Sequence, residues 1–454
     1  MRLVKVDHAD FAGHIYDRPD VTMIAGEGRS TLRHSAVEYD LIQMTGVDTL
    51  AALSTGAYVL SESYLYTTEA MQEFLDHLTP DGLLSVVVAD LSGGFGFPRH
   101  TMRQLSLFLE TLEQRGIQDP AQHIAVIASA EGVPQVSMLL KKSAFTREEV
   151  QRLQEFAEQM AFTVLALPGV STDSIHSTYL RTPREERAAF LSKIPLILTP
   201  TTDDNPFFFN FYRWRNLGKS HSEIDVGHTL ATGQVILALI LVFSIALSVL
   251  LILVPLFAFQ RQGLRTDGRW GFVLFFLAIG LGFIFIEISF IQKFVLFLGY
   301  PTYSLTVVLF SLLTYSGIGS FLTARMKRRP EDRFPLLFAG LTTVSVLYVF
   351  LLPSFFRAFL GSPFALRVLI ASVVLAPLGL VMGMFFPSGI QIVRRTNVAF
   401  VPWAWGINGC ASVVATVLAV ILAMSYGFRF ITFLALAIYL VGVLGIRASA
   451  RGLP

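Results

Sequence analysis

The sequence predicts an α/β domain followed by an all-helical membrane domain: a partial doubly wound sheet over residues 1–225, then a bundle of about seven transmembrane helices over 226–454. Three observations carry this. The 454 residues are 53% apolar and only 15% charged, against about 25% charged in a soluble domain, so part of the chain has a non-aqueous solvent. From Gly233 onward long apolar runs alternate with short basic loops. Before that point β-branched runs alternate with helical patterns at ordinary charge density, the order that builds a parallel sheet with crossover helices.

Within the first half, strands are expected at VTMIAG (21–26), YDLIQMTG (39–46), LLSVVVAD (83–90), HIAVIASA (123–130) and VSMLLKK (136–142). Helical patterns fall at about 67–78, 99–115 and 146–160. Pro80-Asp81-Gly82 reads as a turn before the third strand. The last two strands flank a short Glu-Gly-Val-Pro turn and read as an antiparallel hairpin.

In the second half, candidate spans lie at about 234–258, 270–292, 302–324, 335–355, 368–391, 402–425 and 430–446. Each approaches or exceeds the roughly 20 apolar residues that a bilayer requires. Six carry no Asp, Glu, Lys or Arg, and the second carries one, Glu287. A charge at mid-span costs about 2.5–3.5 kcal/mol on insertion scales, which makes such runs diagnostic.

The basic residues sort by side. Arg261, Arg265 and Arg269 follow the first run, and Arg325, Lys327, Arg328, Arg329 and Arg333 follow the third. Arg394 and Arg395 follow the fifth, and Arg447 and Arg451 the seventh. The opposite side holds Lys293, Arg357, Arg367 and Arg429. The positive-inside rule assigns the first set to the cytoplasm. Seven full spans then put the soluble domain outside, whereas a domain using a cytosolic metabolite belongs in the cytoplasm. The first run, ending at Pro255, is the weakest span and the one whose loss would remove the conflict.

Composition excludes some classes. A net charge of +2 offers no electrostatic footprint for nucleic acid. A single cysteine, Cys410, rules out an intrachain disulfide framework and a cysteine-rich zinc site. Nine histidines fall in no HxH or HxxxH spacing, so no metal centre is expected.

Several motifs bear on function. GEGR (26–29) follows an expected strand, where α/β folds bind ligands. Glu27, flanked by Gly26 and Gly28, reads either as an acceptor for an adenine amino group or a ribose, or as part of a polar turn. Asp48, past the next strand end, reads either as a carboxylate that orients or deprotonates an amine or as a helix cap. SGGFGF (92–97) lacks a following GK[ST] and is not a phosphate-binding loop. TTDDNPFFFNF (201–211) reads as a turn plus an interfacial aromatic anchor, or as a segment carrying Asp203 and Asp204 into the domain's cleft. Glu287 is an intramembrane acid and so a functional hypothesis by default, with Lys293 and Asn408 as its expected partners. Pro301, Pro377 and Pro387 are expected to kink or end helices. Gly317, Gly319 and Ser320, with Gly379 and Gly383, suit close helix packing.

These pieces together resemble the membrane-bound, spermidine-synthase-like proteins of bacteria. The matching stretches are YDRPDVTMIAGEGRSTLRHS, YDLIQMTGVDT, SESYLYTTEAMQEFLDHLTPDGLLSV and PRHTMRQ in the soluble half, and TDDNPFFF at the link. In the membrane half they are GLGFIFIEISFIQKFVLFLGYPTYSLTVVLFSLLTYSGIGS, PLGLVMGMFFPSGI and VPWAWGINGCASVVATVLAV. The resemblance implies a sheet like that of S-adenosylmethionine-dependent methyltransferases, residence in a bacterial inner membrane, and aminopropyl or methyl transfer to a polyamine-type substrate. The co-substrate it implies is S-adenosylmethionine or its decarboxylated form, with Glu27 as an adenine-side contact and Asp48 as the catalytic candidate. The competing reading is a transporter or sensor whose soluble domain only binds ligand.

Two departures accompany the resemblance. The family's Gly-rich strand–loop–helix has no counterpart here, so the chain reads as truncated at its N-terminus. In the family's D-S-x-D pattern this chain has Thr45-Gly46-Val47-Asp48, and Thr45 replaces the first acid. The implied sheet then lacks two strands between 21–26 and 39–44. The expectation is that these two segments pair directly, or that a polypeptide encoded upstream supplies the strands in the cell.

Overall fold

The computed structural model describes residues 3–24, 26–47, 61–89, 97–129, 135–216 and 232–451. The soluble half holds a five-stranded mixed sheet: β1 (Tyr39–Thr45), β2 (Leu78–Ala89), β3 (Ile124–Ala128), β4 (Gln135–Lys141) and β5 (Thr163–Ala166). Their spatial order is β1-β2-β4-β3-β5. β1 and β2 run parallel, and β4 enters antiparallel between β2 and β3, pairing Val86 with Met138 and Val126 with Met138 on its two sides. The expected hairpin is therefore β3–β4, and β5 is an added strand antiparallel to β3.

Alternation along the strands sends side chains to two faces. On one face Leu84, Val86, Val126, Met138 and Leu140 pack with α2 (Thr68–Asp76) and α3 (Arg99–Gln114), whose Met71, Phe74, Leu105 and Phe108 are buried. On the other face Ala125 and Ile127 meet Ala157 of α4 (Arg147–Gln159) and Leu167. α4 starts with a Thr146/Glu149 capping box. Helices on both faces are what the strand–helix alternation predicts. α5 (Ile175–Arg181) and α6 (Arg184–Ser192) complete the α3 side.

Two expectations fail. Residues 21–24 form no strand, and Glu27 leads directly into α1 (Gly28–His34). Among the described residues β1 pairs with β2 alone, so 21–26 does not join it. Pro80-Asp81-Gly82 is no turn: β2 runs through it, and the β1–β2 register shifts there. A Cβ on Gly82 would stand 2.9 Å from the Tyr39 carbonyl oxygen, so the close approach of the two strands requires glycine.

Among the described residues seven helices are long and apolar enough to cross a membrane. They are α7 (Gly233–Phe259), α8 (Arg269–Leu298), α9 (Pro301–Arg325), α10 (Pro330–Phe359), α11 (Phe364–Thr396), α12 (Val401–Tyr426) and α13 (Phe428–Arg451). The first run is thus as long as the others, and it packs on α12, with Ile252 and Leu256 against Gly406. α8 is the central helix and the most buried. Pro377 and Pro387 sit inside α11 without ending it, while Pro301 opens α9. Gly319, Gly379 and Gly383 bring α9 and α11 into backbone contact, whereas Gly317 faces open space.

One end of the bundle carries the soluble domain. Gln234 of α7 donates to Asn210 at 2.7 Å, Ser30 donates to the Leu296 carbonyl of α8 at 3.3 Å, and His34 contacts the Leu360 carbonyl after α10. Asn210 donates to the Met424 carbonyl of α12, and the Phe428 amide of α13 donates to Asp204. By helix alternation the basic loops after α7, α9 and α11 and the end of α13 lie at the opposite end. The domain boundary expected near residue 225 falls outside the described residues.

Candidate ligand site at the junction of the two domains

The parallel strands point their carboxyl ends at the bundle. The Tyr39 amide donates to the His77 carbonyl, so β1 begins at the C-terminal end of α2 and finishes near its N-terminal end. At that N-terminal end Thr68 donates its amide to Thr201 and Ser63 to Pro206, in the segment that joins the soluble domain to the membrane helices. Open α/β sheets bind ligands beyond the carboxyl ends of their strands. Here that edge lies against the membrane domain.

The junction is built around Arg29, which is 0% exposed. Its guanidinium donates to Glu73 at 2.7 and 2.9 Å and to Asp203 at 2.6 and 2.8 Å, both pairs bidentate. It also donates to the Tyr64 carbonyl at 2.8 Å. Arg33 adds a further pair to Glu73 at 2.6 Å. Burial alone would lower Arg29; the charges of Asp203 and Glu73 outweigh it and hold the guanidinium above its ordinary value. Burial likewise pushes Glu73 up, and the bonds from Arg29 and Arg33 bring it below the usual carboxylate range. The hub links α1, α2 and the 201–211 segment through a planar donor set that lysine cannot reproduce.

Asp204, the next residue, faces the bundle. Its carboxylate accepts from the Arg429 amide at 2.9 Å and its carbonyl from the Phe428 amide at 2.9 Å, which caps α13. A carboxylate at a helix N-terminus is favoured by the helix dipole. Phe207 stacks near Phe428 at 5.9 Å. The aromatic run is not a headgroup-depth anchor: Phe207, Phe208, Phe209 and Phe211 are all buried inside the protein. The reading that carries Asp203 into the domain is the one the contacts support.

Two acids at the same edge have no cation. Glu62 is half-buried, accepts from Gln292 of α8 at 2.8 Å, and burial pushes its carboxyl up to about 6. Glu69 accepts from the Asp203 amide at 2.9 Å and is raised by burial and by the charge of Asp203. Among the described residues neither forms an ion pair. Tyr64 lies between them in sequence, is raised well above its ordinary value by burial first and then by the Glu62 charge, and donates to the Gln292 carbonyl at 3.3 Å.

The residues singled out in the sequence are distributed unevenly over this site. Glu27 is the N-cap of α1 and accepts from the Arg29 and Ser30 amides at 3.0 and 2.6 Å. Gly26 and Gly28 flank it on the surface. Asp48 and most of the SGGFGF loop lie outside the described residues, which end at Val47 past β1 and at Ala89 of β2. Glu287 is 7% exposed inside the bundle, and its Oε1 has no hydrogen-bond partner. Asn408 donates to the Phe276 carbonyl and packs on Gly280, which is seven residues and about 10 Å along α8 from Glu287. The structure therefore does not bring Glu287 and Asn408 together. Arg29, Glu69 and Glu73 were missed. The signal was present in GEGR and SESYLYTTEAMQEF, since an arginine and several acids in an otherwise buried region require pairing.

Among the described residues no group of three metal-ligating side chains is gathered. Comparison with protein-family models, with curated proteins and with solved structures returns no match for this chain.

Proposed function

We propose that this is a membrane-integrated ligand-binding protein of the spermidine-synthase-like kind, whose soluble domain takes a polyamine-type amine at the carboxyl edge of its sheet and passes the binding event to the helix bundle. The observation that carries this reading is the pair of partly buried acids, Glu62 and Glu69, which form no ion pair among the described residues, at an edge tied to the membrane domain. An ammonium group entering there gains charge-assisted hydrogen bonds with carboxylates that otherwise hold an uncompensated charge away from water. The route to the bundle is short: Glu62 bonds Gln292 of α8, and Asp203 and Asp204 connect the Arg29 hub to the first turn of α13.

Aminopropyl transfer is the second reading, for which the sequence offers Asp48, three residues after Thr45. In that chemistry the amine nitrogen attacks the propyl carbon of the sulfonium donor, the carbon–sulfur bond breaks, and a carboxylate takes the proton lost by the amine. S-adenosylmethionine itself is expected to gain little from Glu27, whose two oxygens already cap α1 through the Arg29 and Ser30 amides.

Melting the full chain in detergent at pH 7.5 tests the reading. Spermidine or putrescine should raise the melting temperature saturably, Glu69→Gln should abolish the rise, and S-adenosylmethionine should give none. No rise with either amine removes the binding proposal. Release of a thioether nucleoside from decarboxylated S-adenosylmethionine in the presence of putrescine would replace it with the transferase.

A further inference from the structure

A cavity of about 440 Å³ opens at the junction between the segment 197–215 and the C-terminal end of α12. Its lining is cationic: Arg103, Arg213 and Arg215 contribute, and among the described residues no Asp or Glu does. Arg103 is 4% exposed and has no carboxylate partner among the described residues; it donates instead to the carbonyls of Thr199, Phe207, Phe208 and Asn210 at 2.8–3.2 Å. Burial without a counter-charge pulls Arg103 down to about 9. Arg213 is lowered by burial and then by the charge of the exposed Arg215, and among the described residues neither forms an ion pair.

Two donors find no acceptor among the described residues. Arg213 Nε and the indole Nε1 of Trp214 are buried and lack a hydrogen-bond partner. Buried donors left unpaired are costly, and natural proteins leave few. At the carbonyl end of α12 the Met424 carbonyl, which would otherwise repel an anion, accepts from the side-chain amides of Asn205 and Asn210.

The position matters as much as the charge. The cavity is lined by Met424, Ser425 and Tyr426, the last turn of a membrane-length helix, on the soluble-domain side. Tyr426 and Phe430 form an exposed aromatic pair at that level, with ring centroids 4.8 Å apart. Aromatic side chains exposed at the ends of spanning helices mark headgroup depth.

We propose that this cavity is a phosphate-binding site at headgroup depth, in which Arg213, Arg215 and the Trp214 N–H hold a phosphate group of the kind borne by an anionic phospholipid or by free inorganic phosphate. Arginine suits this role because its planar donors match phosphate oxygens two at a time. Arg103, bonded to four carbonyls, sets the cavity wall and adds positive potential behind it.

The full chain in detergent is titrated with two probes, inorganic phosphate and short-chain phosphatidylglycerol, with phosphatidylcholine as the reference lipid. Binding is read by melting temperature and by native mass spectrometry. Saturable binding of either probe by the wild type, weakened about ten-fold (1.4 kcal/mol) in Arg213→Gln/Arg215→Gln and less in Arg213→Lys/Arg215→Lys, which keeps the charge without the planar donors, supports the site. Inorganic phosphate binding identifies a soluble ligand, and phosphatidylglycerol binding alone identifies a lipid. The unliganded melting temperature of the glutamine variant should stay within a few degrees of wild type, since among the described residues neither arginine pairs with a carboxylate. If neither probe binds saturably, or if the glutamine variant binds both as the wild type does, the site does not exist.

Discussion

Glu62 shows how a single side chain at the junction responds to its surroundings. Its carboxyl is raised to about 6 by burial, so the folded protein holds that proton more tightly than the unfolded chain does. Protonation therefore stabilises the fold: the cost of the buried charge is fully present above pH 6 and fades as the pH falls toward the ordinary carboxylate value. A shift of this size corresponds to at most about 2 kcal/mol. Glu62→Gln keeps an acceptor for Gln292 and removes the charge. The variant should melt higher than wild type at pH 7.5, with less than half of that gap left at pH 5; a constant difference at both values would mean that Glu62 is not the titrating group. At this scale the sequence is legible only in part. A buried Arg29 between Glu73 and Asp203 joins residues 44 and 174 positions apart, and no local pattern reports a partner at that distance. Glu27 stands out in GEGR by its neighbours alone, and those same neighbours supply the two amides that it caps.

Elements announce themselves in proportion to the number of residues that must agree. A spanning helix commits some 20 side chains to one solvent, so all seven runs were readable, the first included. β3 and β4 are visible as apolar runs with a turn between them. β5, four residues long, is too short to carry a period. The segment 21–24 has strand composition, but a strand also needs a neighbour, and its Val21 amide instead closes a turn onto the Arg18 carbonyl at 3.1 Å. In the bundle, the glycine spacings in α9 and α11 were informative because a helix can approach another at backbone distance only where side chains are missing. A Cβ at Gly383 would run into the backbone of Ser316, and neither chain can yield by rotating a side chain. Gly383→Ala should therefore lower stability by about 1–3 kcal/mol, the usual cost of overpacking. Gly317→Ala, with nothing within 4 Å, should be neutral or slightly stabilising through its gain in helix propensity. Melts of both variants in detergent decide the matter; equal effects would mean that α9 and α11 do not pack through this face.

At the scale of the whole molecule, the arrangement of ends makes sidedness a single question. With seven membrane-length helices and the soluble domain bonded to the starts of α7 and α13 and to the ends of α8 and α12, every strongly basic loop is at the far end. That end carries twelve Lys and Arg residues, from Arg261 to Arg451, against Lys293, Arg357, Arg367 and Arg429 in the loops of the near end, to which Arg213 and Arg215 add before α7. Short basic loops are retained in the cytoplasm, while large domains are translocated largely regardless of their charge. The arrangement therefore favours a soluble domain on the non-cytoplasmic face. A domain placed there does not meet the cytosolic pool of sulfonium nucleosides, which favours ligand sensing over group transfer. Cysteine labelling in intact cells tests this. Cys410, half-buried in α12, is first replaced by serine. Arg152, on α4 with its side chain 75% exposed, and Lys327, in the loop after α9, are then changed to cysteine one at a time. A membrane-impermeant maleimide added outside should label Arg152→Cys and spare Lys327→Cys until the cells are opened. The opposite pattern would put the soluble domain in the cytoplasm, override the charge bias and return the transferase reading to first place.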